Sequence, residues 1–212
     1  VRGLPILTGL VPLVGINVAF WVGVNADVLP SCIPYIDGCT SISATGRYPP
    51  GDRLFRAVML PQAALLAFTW YFAALWLRCV KPGTRAATPA LVLGLVGALA
   101  LILYVSYLGT KEPFYELMRR FGIYLYFIGT VFAQMTITFA LGRSRWRSAM
   151  IWLVAIPWAL GVANFVQKAL RANPDAMENV IEWVVSVFIQ LWFLGLYVGW
   201  RKTGFNVSVR TS

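Results

Sequence analysis

Few side chains in this sequence are able to perform acid–base chemistry, and the acidic ones are confined to three segments. The chain has eight acidic residues and no histidine, which excludes His-dependent triads, axial-His haem sites and the usual zinc sites. Asp37 and Glu182 are the candidates for a general base, if the protein is an enzyme. The other six acids are interpreted as loop, capping or helix-flanking residues: Asp27, Asp52, Glu112, Glu116, Asp175 and Glu178.

The composition predicts that these residues are carried by membrane-spanning helices. Hydrophobic residues make up 59% of the chain, charged residues make up 12%, and the mean hydropathy is +0.70. Runs such as Leu91–Leu103 lack the period-two alternation of barrel strands, so we expect an all-α integral membrane protein. Residues 1–212 form one domain, a six-transmembrane-helix bundle. The predicted spans are 4–24, 54–77, 89–109, 122–141, 149–167 and 180–200.

Charge in the connectors predicts the orientation of the bundle. Ten bases and no acid lie on one side, and eight bases with all eight acids lie on the other. The first side is therefore expected to be cytoplasmic and to hold both termini. Three indole rings near span ends, those of Trp146, Trp183 and Trp200, are expected at the membrane interface. The ten cytoplasmic bases are Arg2, Arg78, Lys81, Arg85, Arg143, Arg145, Arg147, Arg201, Lys202 and Arg210.

The first extracytoplasmic connector is long and is expected to be ordered. Cys32 and Cys39 are close in sequence on the expected oxidising side, so a disulfide is predicted, with two free thiols as the alternative. Cys79, at the cytoplasmic end of span two, is interpreted as a plain thiol. The connector and the start of span two also offer a candidate site for a lipid head group, formed by Arg47, Arg53, Arg56, Ser43 and Thr45.

Two interpretations of these groups stay open. The three guanidinium groups match phosphate oxygens in geometry, but they are equally able to pair with Asp37 and Asp52 or to face lipid head groups. The hydroxyls of Ser43 and Thr45 suit turns and caps better than nucleophilic attack, because no histidine is available to activate them.

Glu182 opens the sixth span and begins a polar stripe at four-residue spacing, with Ser186 and Gln190. An acid at this depth is expected to have a role at the outer mouth of the bundle, either with an Arg partner or in catalysis. Arg56 is the expected partner. For Gln134 and Gln190 we favour interhelical hydrogen bonds.

Two motifs give this chain a resemblance to a known family. Residues 42–50 read ISATGRYPP, similar to the I-S-x-T-G-x-x-P-P signature of the six-span Frag/DRAM/Sfk family. Glu182–Trp183 and the tail from Phe205 to Arg210 resemble that family's second motif. The resemblance implies six spans and a role in lipid remodelling, lipid organisation or autophagy. Ala44 replaces the Asp found there in many members, and the chain lacks a His that many members carry near span four.

We therefore expect a membrane protein that binds or organises lipids, most simply phospholipids, at the non-cytoplasmic leaflet. One alternative is an enzyme that remodels acyl chains, with Asp37 or Glu182 as base and Ser43 or Thr45 as nucleophile or oxyanion donor. Another is an accessory subunit with protein partners in the membrane. No metal or cofactor is predicted. Nucleic acid is not predicted either, because membrane topology and contact with anionic lipid explain the net charge of +10.

Overall fold

The computed structural model describes residues 1–110, 112–170 and 175–207, and only the backbone of residues 168 and 169. The expected tail residue Arg210 and the topology residues Lys111 and Arg171 lie outside the described residues, as does the side chain of Lys168. The helices are α1 Leu4–Asn25, α2 Pro34–Asp37, α3 Ile42–Thr45, α4 Gly51–Val80, α5 Ala87–Ser106, α6 Pro113–Ala140, α7 Arg145–Ala169 and α8 Asp175–Lys202.

Six of these helices are long and apolar enough to cross a membrane, which confirms the six predicted spans. The shortest, α5, has 20 residues and is therefore about 30 Å long. α2 and α3 are short helices within the first connector. We call the end of the bundle that carries this connector the loop end, and the end that carries residues 1–3 and 203–207 the tail end.

The largest boundary difference is in the fourth span. It was expected to begin at residue 122, but α6 begins at Pro113. Hydropathy detects only the uncharged part of a helix, and the first turns of α6 contain three charged residues, Glu116, Arg119 and Arg120. They are helical because proline suits the first turn and because Glu116 pairs with Arg120 at 2.6 Å, at the four-residue spacing that supports a helix. α6 therefore carries Arg119 and Arg120 inside the helix.

The long helices form a ring in the order α1, α4, α5, α6, α7, α8, and α8 returns to α1. Aromatic rings join α4 to α8 across its centre, where Trp70 packs 5.6 Å from Trp192 and 5.4 Å from Phe193 between ring centroids. Trp183 and Trp200 are fully buried in this core. The prediction that they lie at the membrane interface is therefore wrong, because tryptophan near a helix end is equally able to fill space between helices.

α7 is the most peripheral of the long helices. Near the tail end, Trp146 donates to the Gly195 carbonyl at 3.1 Å and Arg147 donates to the Thr138 carbonyl at 3.2 Å. From Trp158 to Gln167 no side chain of α7 is buried. The loop-end half of α7 therefore adds little to the core.

The closest helix pair, α5 and α6, depends on glycine. A Cβ atom on Gly129 would lie 2.8 Å from the Leu93 carbonyl oxygen and 3.1 Å from the Gly97 nitrogen. These are backbone atoms, which move only if the helices separate. A small residue at this point allows the two backbones to approach, as is common between membrane helices.

We predict that Gly129→Ala lowers the free energy of unfolding by about 1–3 kcal/mol, the usual cost of overpacking. Gly161→Ala is the matched control, since a Cβ there meets nothing within 4 Å. It should leave stability unchanged or raise it by up to about 1 kcal/mol through helix propensity. Thermal unfolding in detergent, followed by tryptophan fluorescence, measures both. Equal midpoints for the two variants would contradict the close packing of α5 on α6.

Candidate functional site

The first connector is closed on itself by a disulfide. Cys32 and Cys39 are bonded, with Cα atoms 6.6 Å apart, as the sequence predicted. Within the same loop the Asp37 carboxylate accepts the Ile33 amide N–H at 2.7 Å. Asp37 is exposed and does not line the cavity described below. The structure therefore gives this candidate base a local role in holding the loop.

Two side chains of α8 hold the connector against the bundle. Asn179 donates to the Gly38 carbonyl at 2.8 Å, and Trp183 donates to the Thr40 carbonyl at 2.9 Å. Gly38 has φ +59°, and a Cβ atom there would collide with the Ala176 backbone. The left-handed conformation and the close approach both require glycine. The connector is therefore docked on the same helix that carries Glu182.

The signature sequence folds into α3, which lies between the connector and α4. The Ser41 hydroxyl caps the helix by accepting the Ala44 N–H at 3.1 Å, and the buried Thr45 hydroxyl donates to the Ile42 carbonyl at 2.6 Å. A Cβ atom on Gly51 would lie 2.7 Å from the Thr45 carbonyl oxygen. The Thr45 hydroxyl therefore has the local turn role that the sequence favoured, and Thr45 does not line the cavity described below.

A small cavity of about 30 Å³ lies inside the loop-end half of the bundle. It is large enough for one or two water molecules. Its polar lining comes from Tyr104, Tyr126, Glu182, Ser186 and Gln190, and the rest is apolar: Pro12, Ile16, Ile42, Phe55, Met59, Ile123, Phe127 and Ile189. The predicted stripe Glu182–Ser186–Gln190 is thus brought together on one wall.

Two polar atoms of this lining have no partner in the described part of the chain. They are the Tyr104 hydroxyl and the Gln190 Oε1 atom, on residues that are 2% and 5% exposed. A buried polar group without a hydrogen bond costs about 1–3 kcal/mol. The expected interhelical bond of the other glutamine is present, since Gln134 donates to the Ile189 carbonyl at 3.1 Å. The cavity therefore offers unused hydrogen-bonding capacity.

Glu182 is partly buried on the cavity wall and faces the backbone of Ile42 and Ser43 in α3. Arg47 is the described cation close enough to interact with its carboxylate. Within the described residues, ion pairs closer than 4.0 Å are formed only by Glu116, with Arg119 and Arg120. Glu182 thus has a neighbouring cation but no close ion pair among them.

Arg56 does not have the partner that the sequence suggested. Its guanidinium donates to the Leu108 carbonyl at 2.6 Å, which ties α4 to the end of α5. Arg47 instead donates to the Ser43 hydroxyl at 2.8 Å and faces Glu182. The expectation failed because proximity to the same membrane interface does not fix the direction in which a helical side chain points. Arg53 is exposed, and the structure assigns it no partner.

Sequence reasoning missed Arg119, which the structure places within electrostatic range of Arg47. The two guanidinium groups are close enough to interact, and both lie within electrostatic range of Tyr104. The side chain of Arg119 is 16% exposed and lies 3.6 Å from Glu116, which pairs more closely with Arg120. The signal available in the sequence was a pair of adjacent arginines, Arg119 and Arg120, just before an apolar run. The head-group candidates therefore become Arg47 and Arg119, which we call the arginine pair.

Helices α6 and α8 both line the cavity. Towards the tail end these helices meet through Gln134 and Ile189, and through the Trp192 indole, which donates to Thr138 at 2.9 Å. Nearer the loop end, α6 contributes Tyr126 and Phe127 to the cavity lining, and α8 contributes Glu182 and Ser186. No described residue of α7 lines the cavity.

Across the described ranges, no cluster of three or more acidic, Cys or His residues is arranged to hold a metal ion. Comparisons with protein-family models, with curated proteins and with solved structures found no match to this chain. The function must therefore be argued from the site itself.

We predict that Trp183→Phe loosens the connector, because the ring is retained while the N–H that bonds to Thr40 is lost. Amide hydrogen exchange over residues 38–46 should rise about tenfold, which corresponds to the roughly 1–3 kcal/mol cost of an unsatisfied buried group. Trp200→Phe is the matched control, because the Trp200 N–H is buried and has no partner among the described residues. Mass spectrometry of exchanged protein measures both. Unchanged exchange in Trp183→Phe would show that the indole does not hold the connector.

Proposed function

We propose that this chain is a multi-pass membrane protein that binds phospholipids at the non-cytoplasmic leaflet, in a regulatory or accessory role. The observation that carries the proposal is that Arg47 and Arg119 lie within electrostatic range of each other and of Tyr104, which lines the loop-end cavity. The two cations repel each other, and Glu116 offsets the charge of Arg119 only in part because it pairs more closely with Arg120. Guanidinium forks match phosphate oxygens, and phosphates are abundant at the depth where the ends of membrane helices lie.

The apolar side chains at the loop end support the same proposal. A phospholipid presents its phosphate and its acyl chains at different depths, so a protein that binds it needs a polar site beside an apolar surface. Ile123 and Phe127 of α6 line the apolar side of the cavity, and Phe114, Leu117 and Phe121 of the same helix are exposed. The helix that carries Arg119 therefore also presents an apolar surface.

We further propose that the loop end faces away from the cytoplasm and that both termini are cytoplasmic. The support is the distribution of charge along the sequence, with ten bases and no acid in the termini and connectors that are predicted to be cytoplasmic. The disulfide agrees with an oxidising compartment at the loop end. From the two sequence motifs, we likewise propose that the chain belongs to the Frag/DRAM/Sfk family.

An acyl-chain-remodelling enzyme is the second candidate, favoured by the position of Glu182 on the cavity wall. Ser43 is the nearest hydroxyl-bearing residue of the signature. Its hydroxyl, however, accepts a hydrogen bond from Arg47 and lies 3.0 Å from the Ser41 hydroxyl. No histidine exists to activate it. Conversion of a bound phospholipid to its lyso-product would favour the enzyme, and its loss in Glu182→Gln would assign the base.

For lipid binding, we predict that the double variant Arg47→Gln, Arg119→Gln binds phospholipid about tenfold more weakly than the wild type does. Each charge-assisted hydrogen bond to phosphate is worth roughly 1.5–3 kcal/mol. Native mass spectrometry after delipidation and titration with dioleoyl phosphatidylglycerol measures the loss. The control is Arg53→Gln, which removes an exposed arginine from the same face and should bind as the wild type does. Equal retention by the double variant would contradict the proposed site.

For topology, we predict that the exposed thiol of Cys79 reacts with a membrane-impermeant maleimide only after cells are permeabilised. In a Cys79→Ser background, the substitution Met177→Cys places a thiol at the exposed loop-end start of α8, and it should react in intact cells. Gel-shift labelling reads out both. The reverse pattern would invert the proposed orientation.

A further inference from the structure

The disulfide lies in the part of the connector that docks on α8. Cys39 stands between Gly38 and Thr40, whose carbonyls accept the hydrogen bonds from α8 at 2.8 Å and 2.9 Å. The bond to Cys32 therefore limits the positions that both carbonyls can take. A crosslink of this kind acts mainly by restricting the conformations of the released chain. The docked position of the connector thus depends on one covalent bond and a small number of hydrogen bonds.

The connector covers part of the loop-end cavity. Ile42 of α3 is 7% exposed and lines the cavity, and the Glu182 carboxylate faces the backbone of Ile42 and Ser43. In α2, the Tyr35 hydroxyl accepts the side-chain amide N–H of Asn17 in α1 at 2.9 Å. The connector is therefore held by both α1 and α8 at the loop end of the bundle.

Two opposing effects act on the covered cavity. Burial of Ile42 favours the covered state, because apolar surface is removed from water. Coverage of Glu182 opposes it, because an ionised carboxylate loses hydration when it is buried. The unpartnered Tyr104 hydroxyl and Gln190 Oε1 atom would also gain hydrogen bonds from water. A constraint on the connector is thus able to decide between the covered and the open state.

The disulfide is accessible to a reductant. Cys32 and Cys39 are only partly buried, and thiol–disulfide exchange requires access to a sulfur atom. One thiolate of a dithiol attacks a sulfur atom of the pair, which forms a mixed disulfide and releases the first cysteine. The second thiolate of the dithiol then attacks the mixed disulfide and releases the other cysteine. The two cysteines gain two electrons and two protons as thiols, and the dithiol is oxidised to its own disulfide.

We infer that the connector is a redox-controlled cover. A dithiol that reduces the disulfide between Cys32 and Cys39 releases the connector from α8 and opens the loop-end cavity to water and to ligands. The bundle stays folded, because contacts between α4 and α8 such as that of Trp70 with Trp192 do not involve the connector. This inference goes beyond the proposed function, since it holds for whichever ligand the cavity side chains bind.

Amide hydrogen exchange and carboxyl labelling of the purified protein, with and without dithiothreitol, test the inference. Exchange over residues 38–46 should rise about tenfold or more after reduction, as expected of a segment that opens locally. Exchange over residues 66–77 of α4 should not change. A water-soluble carbodiimide should label Glu182 several-fold faster after reduction. It should label Glu112, an exposed acid, equally in both states.

Two variants separate the disulfide from the remaining thiol. Cys79→Ser removes the exposed free thiol and should respond to dithiothreitol as the wild type does. The double variant Cys32→Ser, Cys39→Ser should show fast exchange and fast labelling without a reductant, and dithiothreitol should change neither.

Three results would overturn the inference. The first is a disulfide that dithiothreitol leaves intact in the folded protein, read from the absence of alkylation at Cys32 and Cys39. The second is a reduced protein in which exchange over residues 38–46 and labelling of Glu182 stay at the oxidised values. The third is faster exchange over residues 66–77 as well, since that shows unfolding of the bundle. The reduced wild type gives this answer even if the double variant fails to fold.

Discussion

The arrangement of the site depends on the docking of the first connector onto α8. Trp183 and Asn179 each donate one hydrogen bond to a connector carbonyl, and the Trp183 ring packs edge-on to Tyr35 of α2 with centroids 5.0 Å apart. Both donors lie within one turn of Glu182. The same helix therefore carries the carboxylate and fixes the segment that brings Ser43 and Arg47 to it. A membrane helix alone would present Glu182 to lipid, where its charge is costly; the docked connector gives it a polar surface instead.

The bundle interior is unusually polar for a set of apolar helices. Thr8 and Thr69 join α1 to α4 with hydroxyl oxygens 2.6 Å apart, and Gln62 donates to the Thr8 carbonyl at 2.7 Å. These contacts lie away from the cavity and satisfy each other in part, as expected of interhelical bonds in membranes. Within the described residues, buried polar atoms without a partner occur both at the cavity, on Tyr104 and Gln190, and away from it, on residues such as Gln62 and Trp200. Those at the cavity differ because they line a space that water can enter.

How much of this arrangement the sequence predicts depends on the range over which each interaction acts. Span number follows from hydropathy, because the cost of placing backbone and charge in lipid is local to each segment. The disulfide between Cys32 and Cys39 follows from short separation. The sequence does not predict which residue lies near Glu182. That depends on how α4, α6 and α8 are rotated about their axes. The rotation is set by packing, such as that of Gly129 on α5. For that reason Arg56 was expected at the site and bonds to the Leu108 carbonyl instead, while Arg119 was overlooked.

The contacts of Arg47 and Glu182 explain why these two residues form no close ion pair. Arg47 is exposed, whereas Glu182 lines the cavity. The Arg47 guanidinium donates to the Ser43 hydroxyl at 2.8 Å, and the Glu182 carboxylate faces the backbone of Ile42 and Ser43. Both charged groups are therefore satisfied through α3, and the hydrogen bond to the Ser43 hydroxyl keeps the guanidinium apart from the carboxylate.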